Sequence, residues 1–213
     1  MLRAGALFAD LSSASPASIR ESAALFAAQD HVDVAIMGAV SIHGHRTPLL
    51  ASGPGAARLH ALLQPLGFDI ECMPRSASGD ATALKLLRSV FTKGMDAVVM
   101  ECLLAAEAAG LRDPLLRQMA DLDRSTTREL IEMFVRTHAP AATRRLHETQ
   151  AVSVQLTELG IDPIMTRAVL QRYERTIEIL GAQARNPAAA SGDTVFDTVL
   201  PWMLAAERSG TRA

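Results

Sequence analysis

The first 78 residues alternate short apolar runs with stretches of helical periodicity. Four apolar runs predict strands, at residues 6–10, 32–37, 48–51 and 69–73. Between them, Ser15 followed by Pro16 marks the start of a helix that continues to about Gln29, and a second helix is predicted over residues 55–64. Strands that alternate with helices in this way are typical of an α/β layer.

After residue 78 the strand pattern stops, and residues 79–109 form one long apolar pattern without proline, which predicts a single helix. Further helix starts are predicted at Asp113-Pro114, at a capping box of Thr126 and Glu129, at Pro140 and at Asp162-Pro163. The helix that starts at Pro140 should end at Gly160, and the last of these helices near Arg185.

The predicted fold class is α/β followed by all-α. A partial Rossmann-type sheet of about four strands, in mixed orientation, packs on the long helix, and a C-terminal helical bundle follows. We expect three segments: residues 1–78, residues 79–185, and a linker and tail over residues 186–213. The tail holds an apolar piece, residues 195–206, with the only tryptophan, Trp202.

The composition and net charge exclude several classes of function for this chain. Hydrophobic residues make up 49% and charged residues 21% of the chain, and its net charge is −2, so there is no basic surface of the kind that binds nucleic acid. Two cysteines, Cys72 and Cys102, are too few for a disulfide framework or a zinc site and fit a reducing cytosol. No signal peptide or membrane-spanning pattern is found, so a cytoplasmic protein without membrane partners is expected.

The long helix carries the main candidate for chemistry, Lys85. Arg88, Ser89 and Thr92 follow at i+3, i+4 and i+7, so the four polar side chains share one face. Burying a lysine costs free energy, and a polar stripe on an apolar helix is typical of the wall of an active site. The alternative is a lysine whose ammonium reaches solvent from a partly exposed helix.

Two loops add candidate ligand contacts. Ser12 and Ser13 follow the carboxyl end of the first strand, which is the usual ligand edge of an open α/β sheet. They could bind a substrate carboxylate, or they could simply cap the helix at Pro16. Gly38 follows the second strand, where it could allow close backbone approach to a ligand or serve as an ordinary turn glycine.

Two other patterns are weaker. His43, His45 and Arg46 form a cationic loop without a clear third metal ligand, so anion contact or a solvated hairpin tip is expected rather than a metal site. The turn Gly53-Pro54-Gly55 resembles part of a dinucleotide-binding loop. Arg58 stands where that loop needs its third glycine, so a plain strand-to-helix turn is expected.

Four stretches resemble one known superfamily: residues 10–16, residues 32–38, the helix around Lys85, and residues 156–163. They are similar to the substrate loops, the catalytic lysine helix and part of the helical domain of the β-hydroxyacid dehydrogenases, and in particular of 6-phosphogluconate dehydrogenase-like NAD(P)-dependent oxidoreductases. The resemblance implies that Lys85 is the general acid/base and that Ser12, Ser13, Gly38 and Ser89 contact the substrate. Arg88, beside Lys85, could hold a substrate carboxylate, or it could equally pair with a surface acid. It also implies NAD or NADP as cofactor and a homodimer.

The sequence departs from the family pattern at three points. Ser89 stands in place of an asparagine, and Met37-Gly38-Ala39 stands in place of Ser-Gly-Gly. The glycine-rich, nucleotide-binding half of the family is missing from this sequence. The function predicted is therefore an NAD(P)-dependent oxidoreductase acting on a small hydroxy acid. The alternatives are a catalytically inactive dimerisation or interaction protein derived from such an enzyme, and a fragment of an ordinary enzyme.

Overall fold

The computed structural model describes residues 5–26, 30–182 and 195–210, and the chain divides into two compact units between Gly94 and Met95. The first unit holds a small sheet and its helices. Its elements are β1 (Phe8–Asp10), α1 (Pro16–Ala23), β2 (His31–Ile36), α2 (Val40–His43), β3 (Leu49–Ser52), α3 (Ala56–Leu63), β4 (Ile70–Cys72) and the first part of α4 (Asp80–Ala108).

The four strands form one mixed sheet in the order β1-β2-β3-β4. β1 runs parallel to β2, β2 antiparallel to β3, and β3 parallel to β4. Asp33 of β2 lies between Asp10 of β1 and Ser52 of β3. The predicted partial, mixed sheet followed by helices is confirmed.

The strand period of two gives the sheet two different faces. On one face Val32 and Val34 of β2 pack in a buried cluster with residues of β3, α3 and β4, including Leu59. On the other face Ala35 and Leu50 pack against Ala81, in the first turn of α4. Asp33 and Ser52 belong to this second face, since they pair across β2 and β3 two residues before and after that apolar pair.

Helix α1 is shorter than the sequence predicts. It ends at Ala23, and the chain then tightens through backbone hydrogen bonds from Leu25 N to Ser22 O and from Phe26 N to Ala23 O. The Phe26 ring stacks on Phe8 of β1 with ring centroids 4.6 Å apart. With this packing the chain turns back toward the sheet earlier than the sequence pattern predicts. The predicted end at Gln29 lies outside the described residues.

The second unit is helical in its described part. After α4 come α5 (Arg112–Gln118), a 3₁₀ segment (Met119–Arg124), α6 (Thr127–His138), α7 (Ala142–Glu158), α8 (Ile164–Ala182) and α9 (Val195–Gly210). The predicted capping box of Thr126 and Glu129 starts α6, with both reciprocal hydrogen bonds present. No helix among the described residues is long and apolar enough to cross a membrane.

The tail forms more regular structure than expected. Its apolar piece is a 16-residue helix, α9, that continues past Ala206 and accommodates Pro201. Glu207 of α9 forms ion pairs with Arg172 and Arg175 of α8. These pairs fix α9 to the bundle, while the expected linker over residues 186–194 lies outside the described residues.

Candidate functional site

The predicted polar stripe lies near the start of α4. Lys85 is half-buried and Arg88 is exposed. Neither side chain forms an ion pair or hydrogen bond with another residue in the described part of the chain. Two unpaired cations one turn apart on a helix face can bind an anionic ligand, which would not have to displace an internal carboxylate.

The two hydroxyls of the stripe are engaged with the helix itself. The Ser89 Oγ donates to the Lys85 carbonyl oxygen at 2.9 Å, and the Thr92 Oγ1 donates to the Arg88 carbonyl oxygen at 3.3 Å. This is the usual i−4 hydrogen bond of helical serine and threonine. A ligand contact from Ser89 would therefore need a hydroxyl that turns away from the backbone.

The loop after β1 places its serines at the surface. The backbone N–H of Ser12 donates to Asp10 Oδ1 at 2.9 Å, which fixes the turn. The hydroxyls of Ser12 and Ser13 are exposed and make no hydrogen bond within the described residues. Ser15 caps α1, accepting a hydrogen bond from Ser18 N at 3.1 Å. Ser12 and Ser13 are therefore not the capping residues and remain available to a ligand.

A close backbone contact brings the start of α4 next to the start of α1. Gly79, immediately before α4, has a φ of +99°, and a Cβ added there would lie 2.8 Å from the Pro16 carbonyl oxygen and 3.3 Å from Arg20 Nη1. Only glycine fits this approach. Lys85 lies six residues beyond the contact and Ser13 three residues before Pro16. Arg20, which the sequence analysis did not single out, adds a cation beside this junction.

Gly38 and the cationic loop lie beyond the end of β2. Gly38 is exposed, and an added Cβ would make only ordinary contacts at 3.4 Å with Thr47 and Pro48. His43, His45 and Arg46 are exposed on α2 and the 3₁₀ turn that follows it. No group of three or more metal-ligating side chains occurs among the described residues.

Asp33 is the buried polar residue on which this region depends, and the sequence analysis did not select it. Its side chain is 0% exposed. Oδ2 accepts hydrogen bonds from Ser52 Oγ, Gly79 N and Thr82 N, each at 3.0 Å, and Oδ1 accepts one from the Thr82 hydroxyl at 2.6 Å. A carboxylate inside an otherwise apolar strand was the signal in the sequence, because a buried charge requires partners.

His31 lies nearby in β2 and is 1% exposed. Its Nδ1 shares a hydrogen bond of 3.1 Å with Ser78 Oγ, and its Nε2 lies 3.9 Å from Asp10 Oδ2. Phe8 and Phe26 pack against its ring. Burial lowers the pKa of His31, although Asp10 and Asp33 act in the opposite direction. The imidazole is therefore neutral at neutral pH.

The glycine-rich turn after β3 does not fit a pyrophosphate. Gly53 has a φ of +96°, and an added Cβ would lie 2.6 Å from Ser78 Oγ and 3.3 Å from Ser78 N. The space beside this glycine is filled by the protein's own loop before α4. The predicted strand-to-helix turn accounts for Gly53 and Gly55, and no other described turn carries the glycine-rich loop that holds a dinucleotide.

The second unit contains a cavity of about 570 Å³ between α4, α5, α7 and α8. Its wall is mainly aliphatic, and the few polar groups belong to Glu101, Cys102, Gln118, Gln155 and Thr166. None of the predicted site residues lines it. Such a volume is large enough for a small apolar ligand or for side chains of a packing partner.

Glu101, at the edge of this cavity, caps α8. Its carboxylate accepts hydrogen bonds from Met165 N at 2.7 Å, Thr166 N at 2.9 Å and Thr166 Oγ1 at 2.6 Å. Burial alone would raise the pKa of Glu101, but these hydrogen bonds and the nearby Arg167 outweigh it and hold the pKa below its ordinary value. Glu101 therefore acts as an ionised cap.

Comparisons with known proteins match both units. Residues 106–176 match the model of a domain of unknown function, DUF1932. A protein of Methanothermus fervidus, described as an uncharacterized 28.5 kDa protein in the 7S RNA 5′ region, is 25% identical over 172 residues, which are 81% of this chain and 66% of that protein.

Two solved structures extend the comparison. The conserved protein MTH1747, of unknown function and described as structurally similar to 3-hydroxyacid dehydrogenases, is 31% identical with a TM-score of 0.49, over 81% of this chain and 66% of its own. An imine reductase from Myxococcus stipitatus in complex with NADP⁺ is 22% identical with a TM-score of 0.63, over 83% of this chain and 65% of its own. The chain spans just under two thirds of the length of these three proteins.

These matches confirm the predicted resemblance at the level of domain and fold. Residues 106–176 of the helical unit are similar to the DUF1932 domain, and the chain has the fold found in that imine reductase.

Proposed function

From the DUF1932 domain and the imine reductase fold of this chain, we propose that it provides the substrate-binding and proton-transfer part of an NAD(P)-dependent oxidoreductase. The proposed substrate is a small hydroxy acid. The observation that carries the proposal is the pair of unpaired cations, Lys85 and Arg88, near the start of α4.

The charged and hydroxyl side chains of the first unit support an anionic substrate. Arg20 lies at the junction of α1 and α4, on the same part of the first unit as the exposed hydroxyls of Ser12 and Ser13. In the proposal, Arg88 binds the substrate carboxylate and the serines add hydrogen bonds. Gly38 and Ser89 stay as proposed substrate contacts on the strength of the family resemblance.

Lys85 is the proposed acid/base. As a hydroxy acid is oxidised to its keto acid, the proposed role of the Lys85 side-chain nitrogen is to accept the hydroxyl proton while the carbonyl forms. The oxidant in the overall reaction is NAD⁺ or NADP⁺, which takes up the hydride. No described turn fits the pyrophosphate of that cofactor, so the proposal assigns its binding to residues other than those described.

Titration calorimetry of the full chain with NADH and NADPH is the first test. Micromolar binding supports the oxidoreductase, whereas no heat at millimolar cofactor overturns it for this chain. Where binding is seen, a panel of small hydroxy acids and of cyclic imines is assayed for change in NAD(P)H absorbance. Turnover of the imines in preference to every hydroxy acid would refute the proposed substrate class.

A matched pair of variants tests the role of Lys85, because the chain has only two lysines, Lys85 and Lys93. Lys93 lies on the same helix and is exposed. We expect Lys85→Met to lose at least 100-fold in kcat, the scale of general acid/base catalysis, and Lys93→Met to keep it. Equal activities of the two variants would remove Lys85 from the mechanism.

A homodimer is also part of the proposal. Ten large apolar side chains of α4 are 41% to 75% exposed: Leu84, Leu86, Leu87, Val90, Phe91, Met95, Val98, Val99, Met100 and Leu104. Exposed apolar side chains in this number along one helix are typical of an interface. A second copy of the chain supplies a matching apolar helix by symmetry.

Sedimentation analysis tests this interface. We expect a dimer of the full chain and a monomer of the Leu87→Glu, Val90→Glu double variant, since a charge buried in an apolar interface is strongly unfavourable. Lys93→Glu, on the same helix, should stay dimeric. A monomeric wild-type chain would contradict the proposed dimer.

The geometry of Gly53 favours a second candidate function, a catalytically inactive dimerisation or interaction protein derived from such an enzyme. The one glycine-rich turn among the described residues is filled by Ser78. A chain that dimerises but binds neither cofactor would support this candidate. A cytosolic location is proposed in either case, because Cys72 and Cys102 are free thiols.

A further inference from the structure

Asp33 gives the first turn of α4 an acceptor that the helix lacks in its own sequence. Gly79 precedes Asp80, the first helical residue, and has no side chain with which to cap. The N–H of Thr82 donates to Asp33 Oδ2 at 3.0 Å, and the N–H of Ala81 donates to Ser52 Oγ at 2.9 Å. Two strands therefore satisfy the donors that a side chain at the cap usually satisfies.

The same carboxylate also fixes the chain on either side of that turn. It accepts from Gly79 N before the helix and from the Thr82 hydroxyl inside it, and Ser52 joins the network through Asp33 Oδ2. Ala81 and Thr82 are 0% and 4% exposed. A fully buried carboxyl group that accepts four hydrogen bonds holds those donors in place, because losing any one leaves a buried acceptor less well satisfied.

Lys85 follows Thr82 by three residues, less than one helical turn. Its backbone position relative to β2 and β3 is set by the bonds to Asp33, and the Gly79–Pro16 contact sets the position of α4 relative to α1. We infer that Asp33 is a positioning residue for Lys85: its buried carboxyl group holds the start of α4, and with it Lys85, at a fixed position relative to β2 and β3. The inference rests on the proposed role of Lys85.

The relative reactivity of the two lysines tests the positioning role of Asp33 without an enzymatic assay. The full chain is acetylated sparingly, and the ratio of modification at Lys85 and Lys93 is measured by mass spectrometry, together with amide hydrogen exchange over α4. We expect Asp33→Asn to raise exchange in the first turn of α4 about tenfold, the usual effect of losing a cap. In the wild type the ratio of acetylation at Lys85 to that at Lys93 should be below one, because only Lys85 is half-buried. We expect Asp33→Asn to move this ratio toward one.

Leu59→Ala separates positioning from general destabilisation. Leu59 is 7% exposed and packs on the opposite face of the sheet, so its truncation lowers stability without touching Asp33. We expect it to leave the lysine ratio at the wild-type value. If Asp33→Asn also leaves the ratio unchanged, Asp33 is only a structural residue and the inference is wrong.

A second pair of variants, both at Thr82, tests the inference if Asp33→Asn does not fold. Thr82→Val removes the 2.6 Å hydroxyl bond to Asp33 and should shift the ratio, whereas Thr82→Ser should restore it. Identical ratios in the two variants would overturn the inference. These measurements need no substrate. A shifted ratio in a chain without dehydrogenase activity would therefore uphold the positioning role of Asp33 and refute the proposed function. In an active chain, Asp33→Asn should lower kcat more than it changes KM.

Discussion

Replacing Glu101 with glutamine should destabilise the chain in a pH-dependent way. The carboxylate accepts three hydrogen bonds at the start of α8, two from backbone N–H groups and one from a hydroxyl. Glutamine keeps one acceptor oxygen and loses the charge. Loss of a cap costs about 1 kcal/mol, and the half-exposed position of Glu101 argues against the upper end of the known range.

The pH dependence follows from the lowered pKa of Glu101. The unfolded carboxyl group titrates at about pH 4.3, and the folded one at a lower pH. Stability from the ionised cap is therefore present above about pH 4.3 and is lost as the pH falls through the folded pKa. The difference in unfolding free energy between wild type and Glu101→Gln should be about 1 kcal/mol at pH 7 and should vanish at lower pH.

Urea unfolding followed by circular dichroism at pH 7 and at pH 3 measures this difference. Glu107→Gln is the matched control, since Glu107 lies on the same helix and forms only an exposed ion pair with Arg112. The reasoning fails if the two variants lose equal stability at pH 7, or if the loss in Glu101→Gln is the same at both pH values.

Two further predictions concern the first unit. Because burial lowers the pKa of His31, the unfolded chain binds a proton at about pH 6.5 where the folded chain does not, so stability should fall as the pH drops below that value. His138 contributes to the same slope, because burial, and then Arg172 and Arg145, lower its pKa as well. His31→Gln should therefore reduce the slope without removing it, and an unchanged slope in His31→Gln would refute the assignment to His31. Gly53→Ala should cost at least about 1 kcal/mol, because its φ is +96° and its new Cβ meets Ser78 Oγ at 2.6 Å. The control Gly181→Ala has open space and should be neutral or slightly stabilising in urea titrations, so equal costs for the two would count against the strain argument.

Much of the fold was predictable because its signals are local. Ser15-Pro16 marked the start of α1, Thr126 and Glu129 marked the start of α6, and the proline-free apolar pattern predicted α4 to within one residue at each end. The end of α1 was predicted too late. The Ala-rich pattern continues to favour a helix there, and only the packing of Phe26 on Phe8 ends it.

The candidate site was predicted in part, for a related reason. Lys85 and Arg88 stand out by type and spacing on one helix. Asp33 and Glu101 each act on a helix far along the chain, at separations of 46 to 65 residues. Four of their seven hydrogen bonds come from backbone N–H groups, which every residue except proline carries, and the other three come from serine and threonine hydroxyls. These donors are common along the chain, so no residue type in the sequence points to the pairing.

The bonds between Asp33 and the start of α4 also couple the formation of that helix to the sheet. Forming the first turn of an isolated helix is unfavourable, since several residues are fixed for one hydrogen bond. In this chain the acceptors for that turn lie on β2 and β3, which pair with each other and leave the ribosome before α4 does. The first turn of α4 is therefore stabilised by side chains of the paired strands, and a loss of the pairing between β2 and β3 would also weaken the start of the helix.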